Sequence, residues 1–207
     1  MKEIQEYEKD IASIRNMMER SVKFISLSGL SGVLAGIYAL IGAAVAYNIV
    51  YSPPSVLGVR LHYADEQSVV IKLAIIAIIV LLLSLGTGFW LSARKAKKLG
   101  TTFWNKPSKQ LMIDLIIPLT TGGLFILILL SRGYFMIVSS SCLLYYGLAL
   151  IYASRNTYKE IQYLGFTEIV LGLLAAYLPG YGLIFWAIGF GVMHIVYGTI
   201  MHFRYDK

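Results

Sequence analysis

A single cysteine, Cys142, is all the thiol in this 207-residue chain. It lies inside an apolar run, so the sequence allows no intrachain disulfide and no cysteine-based metal site with ligands at usable spacing. Charge is scarce as well, at 14% of residues where soluble domains carry about 25%. No glycine-rich phosphate loop, zinc-protease pattern or nucleophile elbow is present. His194 and His202 stand eight residues apart on one predicted helix, about 12 Å, so they cannot ligate one iron. No other segment offers a matching histidine pair, and a haem is excluded on that count. The first 23 residues contain no short apolar core followed by a small-residue cleavage site, so a removable signal is not expected. No cofactor and no metal site are expected.

What the chain does have is apolar surface, with 57% hydrophobic residues and mean hydropathy +0.70. A bilayer core of about 30 Å needs about 20 such residues of helix. Six segments approach that length, at about 24–50, 68–92, 111–131, 134–154, 161–178 and 181–203. Between them stand helix-ending signals: Ser52-Pro53-Pro54, a basic run from Arg94 to Lys109, Arg132-Gly133, and Pro179-Gly180. The expected fold class is all-α, a polytopic membrane protein with six transmembrane helices over 24–207, preceded by an amphipathic cytoplasmic helix over 1–23.

The net charge of +7 reads as topology, since the basic residues flank the apolar segments and form no continuous soluble face. No nucleic-acid partner is expected. With the N-terminus inside, 15 of the 18 Lys and Arg residues fall on the inner side, leaving Arg60, Lys72 and Arg132 outside. Both termini are therefore expected in the cytoplasm, in the cytoplasmic (inner) membrane of a bacterium. In the N-terminal stretch, Ile4, Tyr7, Ile11, Ile14, Met18, Ser21 and Ile25 follow the three-four spacing of a heptad seam. The opposite face mixes both signs, which favours packing on a partner helix or second copy, through residues 4–25, over lying on anionic lipid.

Glu168 and His194 are the two ionisable residues deep inside predicted spans, where such groups need a partner or a purpose. Glu168 lies roughly 12 Å beyond Glu160 and His194 roughly 14 Å before Phe203, so the two share a depth on adjacent antiparallel helices. Gly165, Gly172 and Ala175 flank Glu168, and Ala187, Gly191 and Gly198 flank His194. Small residues permit close helix approach, so both groups are expected to point inward. The same layer collects Ser84, Thr120, Thr121, Tyr145 and Tyr146. Pro118, followed by Thr120-Thr121-Gly122-Gly123, predicts a kink or partly unwound segment in the third span. A polar site for a solute or a proton is one reading of this layer. Glu168 and His194 satisfying each other and fixing the packing is the other.

Asp114 is shallower and reads as a headgroup-boundary residue that can take a charge from the basic loop or from His202. The 93–110 loop carries six basic residues and no acidic one. Arg94, Lys95, Lys97 and Lys98 are its candidates for contact with lipid headgroups, worth about 1 kcal/mol per basic residue near an anionic surface.

Span one is dense in small residues at four-residue spacing: Ser28, Gly32 and Gly36, and again Ala35, Ala39 and Ala43. Two close-packed faces follow. The block Met17-Met18-Glu19-Arg20-Ser21 with the segment FISLSGLSGVLAGIYALIGA over 24–43 resembles the N-terminal part of a family of uncharacterised bacterial six-span integral membrane proteins. That resemblance covers under a fifth of the chain and implies no activity. The alanine spacing also looks like that of vitamin-binding S-components of energy-coupling-factor transporters.

The leading expectation is small-solute or proton-linked transport or permeation through a polar intramembrane site built from Glu168, His194, Tyr145, Tyr146, Thr120 and Thr121. Its rival is a non-catalytic membrane component that docks a partner or second copy through the N-terminal helix and the basic loop. An intramembrane enzyme ranks third, since Glu168 and His194 have no nucleophile or metal set beside them.

Overall fold

A computed structural model describes residues 26–51 and 66–206, together with Tyr7, Ile11 and Ile14. Nearly all of the expected N-terminal helix, and the loop with Arg60 and His62 that is expected on the outer side, lie outside the described residues. Among those described there is helix and no strand.

The chain runs α1 (Gly29–Tyr51), α2 (Glu66–Lys98), α3 (Lys106–Ser131), a 3-10 turn (Phe135–Ile137) and α4 (Val138–Ala153). A second 3-10 turn (Ser154–Asn156) leads to α5 (Lys159–Tyr177) and then to a last helix in three parts. Those parts are α6 (Gly182–Trp186), a π-helical segment (Ala187–Met193) and α7 (His194–Tyr205).

Five stretches are long and apolar enough to cross a membrane: Gly29–Val50, Ser68–Lys98, Lys106–Ser131, Phe135–Asn156 and Gly182–Tyr205. The segment expected at 161–178 is helical but does not join them, because its 19 residues include Lys159, Glu160 and Glu168.

Helix ends follow local chemistry more than hydropathy. α2 was expected to stop near 92, yet it continues through Arg94–Lys98, since lysine and alanine are good helix formers. It ends where Gly100 takes φ 66°, with Thr101 N–H bonded to the Ala96 carbonyl at 3.0 Å and Gly100 N–H to that of Lys97 at 3.2 Å. This is the Schellman arrangement, and α3 ends the same way at Gly133, φ 75°. α3 begins five residues before the expected 111, because Asn105 and Ser108 form a reciprocal capping box and Pro107 sits in the first turn.

Packing is tightest where glycines meet. A Cβ on Gly147 would lie 2.7 Å from the Gly165 carbonyl, and one on Gly165 would lie 2.8 Å from that of Gly147, so α4 and α5 touch backbone to backbone. α1 meets the last helix similarly, with Gly36 against Gly191 and Gly32 against Gly198. A second face of α1 holds α2, where Gly42 meets Val80 and Ile76. Gly122 of α3 lies against the Tyr145 ring of α4. Gly86 of α2, by contrast, faces open space.

The exterior is apolar. Ile75, Ile78, Leu81, Leu82 and Leu85 of α2 and Leu124, Leu127 and Ile128 of α3 are all exposed. The largest wholly buried side chains are Leu143, Glu168, Ser26 and Ser140. A water-soluble protein does not present so large an apolar surface, and the five long helices give it the makeup of a membrane protein.

Candidate functional site

After Glu66 the sequence has only four acidic residues: Asp114, Glu160, Glu168 and Asp206. The fold shelters every one, leaving Asp114 3%, Glu160 6% and Glu168 0% exposed and the Asp206 side chain 8%. A sheltered carboxylate needs donors or a countercharge, so the partners of each decide its role.

Three are provided for. Asp206 takes Lys95 Nζ at 2.7 Å, Gly29 N–H at 2.9 Å, His202 Nδ1 at 3.1 Å and Ser28 Oγ at 3.2 Å. It therefore caps the N-terminus of α1 from the far end of the chain, where the helix dipole favours an anion. Lys95 also donates to the Leu27 carbonyl at 2.9 Å. Burial by itself would raise the Asp206 carboxyl, but the bonds from Lys95, His202 and Ser28 outweigh it and hold it below the ordinary aspartate value. Glu160 accepts from Arg204 at 2.8 Å and from the Tyr205 hydroxyl at 3.1 Å, and Tyr205 stacks on Tyr158 with centroids 4.0 Å apart. Asp114 accepts from Gln110 at 2.9 Å and from the Asn156 amide. Among the described residues neither the basic loop nor His202 reaches Asp114 with a charge; His202 serves Asp206 instead.

Glu168 differs. Among the described residues, neither of its oxygens has a hydrogen-bond partner. Its nearest ionisable neighbour is His194, with Nδ1 at 3.5 Å from Oε1. That separation is within ion-pair range, yet the Nδ1–H is spent elsewhere, on the Gly189 carbonyl at 3.0 Å. A carbonyl only accepts, so Nδ1 carries the hydrogen in the neutral ring, and Nε2 accepts from the Tyr146 hydroxyl at 2.8 Å. Glu168 and His194 share a site, as their spacing predicts, but they do not satisfy one another as hydrogen-bond partners.

Local structure explains the arrangement. Glu168 follows Gly165 by one turn of α5, so the close α4–α5 crossing at Gly147 brings it beside α4. The last helix presents Gly189 to it, and a Cβ there would collide with Glu168 Oε2 and with Leu143. The π-helical turn leaves the Gly189 carbonyl within reach of the imidazole five residues later. Such turns are rare and recur at functional sites. The rings of Tyr146 and Phe190 flank His194, with centroids 5.4 and 5.9 Å away.

The other predicted residues divide. Tyr145 points away from Tyr146 and packs on Phe125 of α3, centroids 5.7 Å apart. Thr120 and Thr121 are exposed, and the Thr121 hydroxyl bonds the Ile117 carbonyl of its own helix at 2.9 Å. Ser84 sits on α2, which packs along α1. Pro118 lies within an α3 that is helical without interruption, so the partly unwound segment expected there is absent. Gly122 instead accommodates Tyr145, and Gly123 faces open space. The irregular backbone is in the last helix. Among the four basic candidates, Arg94, Lys97 and Lys98 are exposed, whereas Lys95 is held inside by Asp206. Sequence reasoning missed Asp206 as a cap and Gly189 as a carbonyl acceptor; the cue for the first was the lone carboxylate after the last span.

The described residues contain no cluster of three or more His, Cys, Asp or Glu able to hold a metal ion. No protein-family model, curated protein or solved structure matches this chain.

Proposed function

We propose that the chain is a six-span protein of a bacterial cytoplasmic membrane with both termini in the cytoplasm, and that it moves a small solute or protons through a polar site built on Glu168, His194 and Tyr146. The observation that carries this reading is the fully buried Glu168 carboxylate without a hydrogen-bond donor. A group so costly in an apolar interior is retained where charge or protons must enter it. The six-span topology draws support from the Asp206 and Glu160 networks, which join the start of α1, the end of α2, the start of α5 and the end of α7 at one end of the bundle. That end also gathers most of the basic residues among those described. α5 serves as the sixth span here, its hydropathy lowered by the site residue itself.

Proteoliposomes test the function. With a potassium diffusion potential and an internal pH dye, proton entry into vesicles holding the intact chain should fall at least tenfold in Glu168→Gln. Equal entry by both proteins, with both monodisperse, would remove the site. Topology is read with a membrane-impermeant maleimide in a Cys142→Ser background: Arg132→Cys should label from outside and Lys97→Cys should not.

A second reading is favoured by Tyr7, Ile11 and Ile14, which are helical and 67%, 66% and 53% exposed. In it the N-terminal seam, through residues 4–25, and the basic residues Arg94, Lys97 and Lys98 dock a second copy or a partner helix at the membrane surface. Light scattering in detergent would show an oligomer for the full chain and a monomer after deletion of residues 1–20; a monomer in both cases argues against a second copy.

A further inference from the structure

His194 offers each ring nitrogen to a different side. Nε2 holds the Tyr146 hydroxyl at 2.8 Å, and Nδ1 lies between the Gly189 carbonyl at 3.0 Å and Glu168 Oε1 at 3.5 Å. We propose that His194 is a proton relay from Tyr146 to Glu168, with the Gly189 carbonyl of the π-helical turn holding the resting tautomer. This inference rests on the reading of the site as one that handles protons or a proton-linked solute.

The transfer balances without any further reagent. In the deprotonated state, Nδ1–H donates to Gly189, Tyr146 O–H donates to Nε2, and Glu168 is a carboxylate without a donor. A proton reaching the Tyr146 oxygen releases the hydroxyl hydrogen to Nε2, and the incoming proton re-forms the phenol. The ring is now an imidazolium facing an anion, which draws Nδ1–H off Gly189 and across to Oε1. The Nδ1–H bond breaks as the carboxyl O–H bond forms. One proton has moved from Tyr146 to Glu168, and the ring is neutral again with its hydrogen on Nε2, donating to Tyr146.

Three features fit a proton better than a larger cation. A hard metal cation takes about six oxygens, whereas the Gly189 carbonyl and Tyr146 hydroxyl here are both occupied by the imidazole. The flanking Tyr146 and Phe190 rings lie 28° and 20° from the imidazole plane and restrict it to small rotations. Gly189 has no side chain, and a Cβ there would push on Glu168 Oε2 and so on the carboxylate whose other oxygen, Oε1, faces the ring. The titratable groups facing His194 are Glu168 from α5 and Tyr146 from α4. α1, which has no Asp, Glu, His, Lys or Arg, approaches the His194 backbone at Gly32, and Tyr197 on the same helix as His194 is directed to Thr167 at 3.4 Å.

Nitrogen-15 solid-state NMR of the histidine-labelled full chain in lipid reads the ring directly, with the His194 signals assigned by their loss in His194→Gln. At high pH the expected signals are a protonated Nδ1 and an unprotonated Nε2. On acidification Nε2 should gain its proton in step with the carboxyl infrared band of Glu168. In Glu168→Gln the Nε2 transition should move by more than one pH unit, Glu168→Asp should restore it in part, and Tyr146→Phe should slow proton exchange at Nε2 at least tenfold. An Nε2 transition identical in the wild type, Glu168→Gln and Tyr146→Phe would overturn the relay, as would a resting ring protonated on Nε2. A coupled transition without proton entry into vesicles would leave the relay standing and remove transport. Proton entry that depends on Glu168 alongside an uncoupled transition would do the reverse.

Discussion

Asp206 and Glu168 are both carboxylates sheltered by the bundle, and their surroundings are opposites. Asp206 gathers a lysine, a histidine, a hydroxyl and the first N–H groups of α1. Glu168, deeper and wholly buried, has an imidazole nearby and no donor at all. The first arrangement is what a carboxylate needs to hold three helix ends together, those of α1, α2 and α7. The second stabilises nothing that a neutral residue of the same shape would not stabilise better. Shelter alone therefore says little about role in this protein, and the partners say most of it.

Removing each charge in turn should separate the two most widely. Asp206→Ala leaves Lys95 unpaired with side-chain exposure of only 12%, and breaking such a pair costs about 3 kcal/mol. The Tm in detergent should drop accordingly, while Glu168→Gln should leave Tm unchanged or raised and abolish proton entry. A large loss of Tm in Glu168→Gln would mean that the carboxylate holds the fold after all.

Acid should act on the same contrast. The Asp206 carboxyl sits below its ordinary value in the folded protein. Its contribution to stability is therefore complete above the unfolded value, near 4, and is lost as pH falls through the folded value. Unfolding followed below pH 4 should show a steep acid limb in the wild type that flattens in Asp206→Asn. An unchanged limb would show that other groups set the acid sensitivity.

Smaller effects sharpen the comparison at its edges. Replacing Arg94, Lys97 or Lys98 with Gln should weaken attraction to anionic headgroups by about 1 kcal/mol each, visible as reduced retention of anionic lipid, with Tm unmoved. Lys95→Gln should instead lower Tm, because its charge is committed to Asp206. Least of all, Tyr146→Phe should cost about 0.6 kcal/mol, the usual worth of a side-chain hydrogen bond between membrane helices. A loss several times larger would mark Tyr146 as a structural pillar.

The long helices were legible because hydrophobic run length is set by the sequence itself, and the shared depth of Glu168 and His194 was legible from helix rise, although Gly165 and Gly191 turn out to serve α4 and α1 and it is Gly189 that meets Glu168. Thr120 and Thr121 misled. A threonine in a helix can satisfy its hydroxyl on the carbonyl four residues back, as Thr121 does on Ile117 and Thr87 on Leu83, so a polar residue in a span need not face inward. At Pro118 only the partly unwound alternative is removed, since the missing N–H of one proline does not oblige a long helix to break.

The sequence by itself determined the helices, their apolar exteriors and the glycine faces on which they meet, because these depend on residues within a few turns of one another. Tertiary structure alone decided which carboxylates would be answered. Asp206 finds Gly29 across 177 positions, and Glu168 loses His194's Nδ1–H to a carbonyl that only the π-helical turn places within reach. Those choices rest on how helix ends and faces are brought together in space, and no local pattern encodes them.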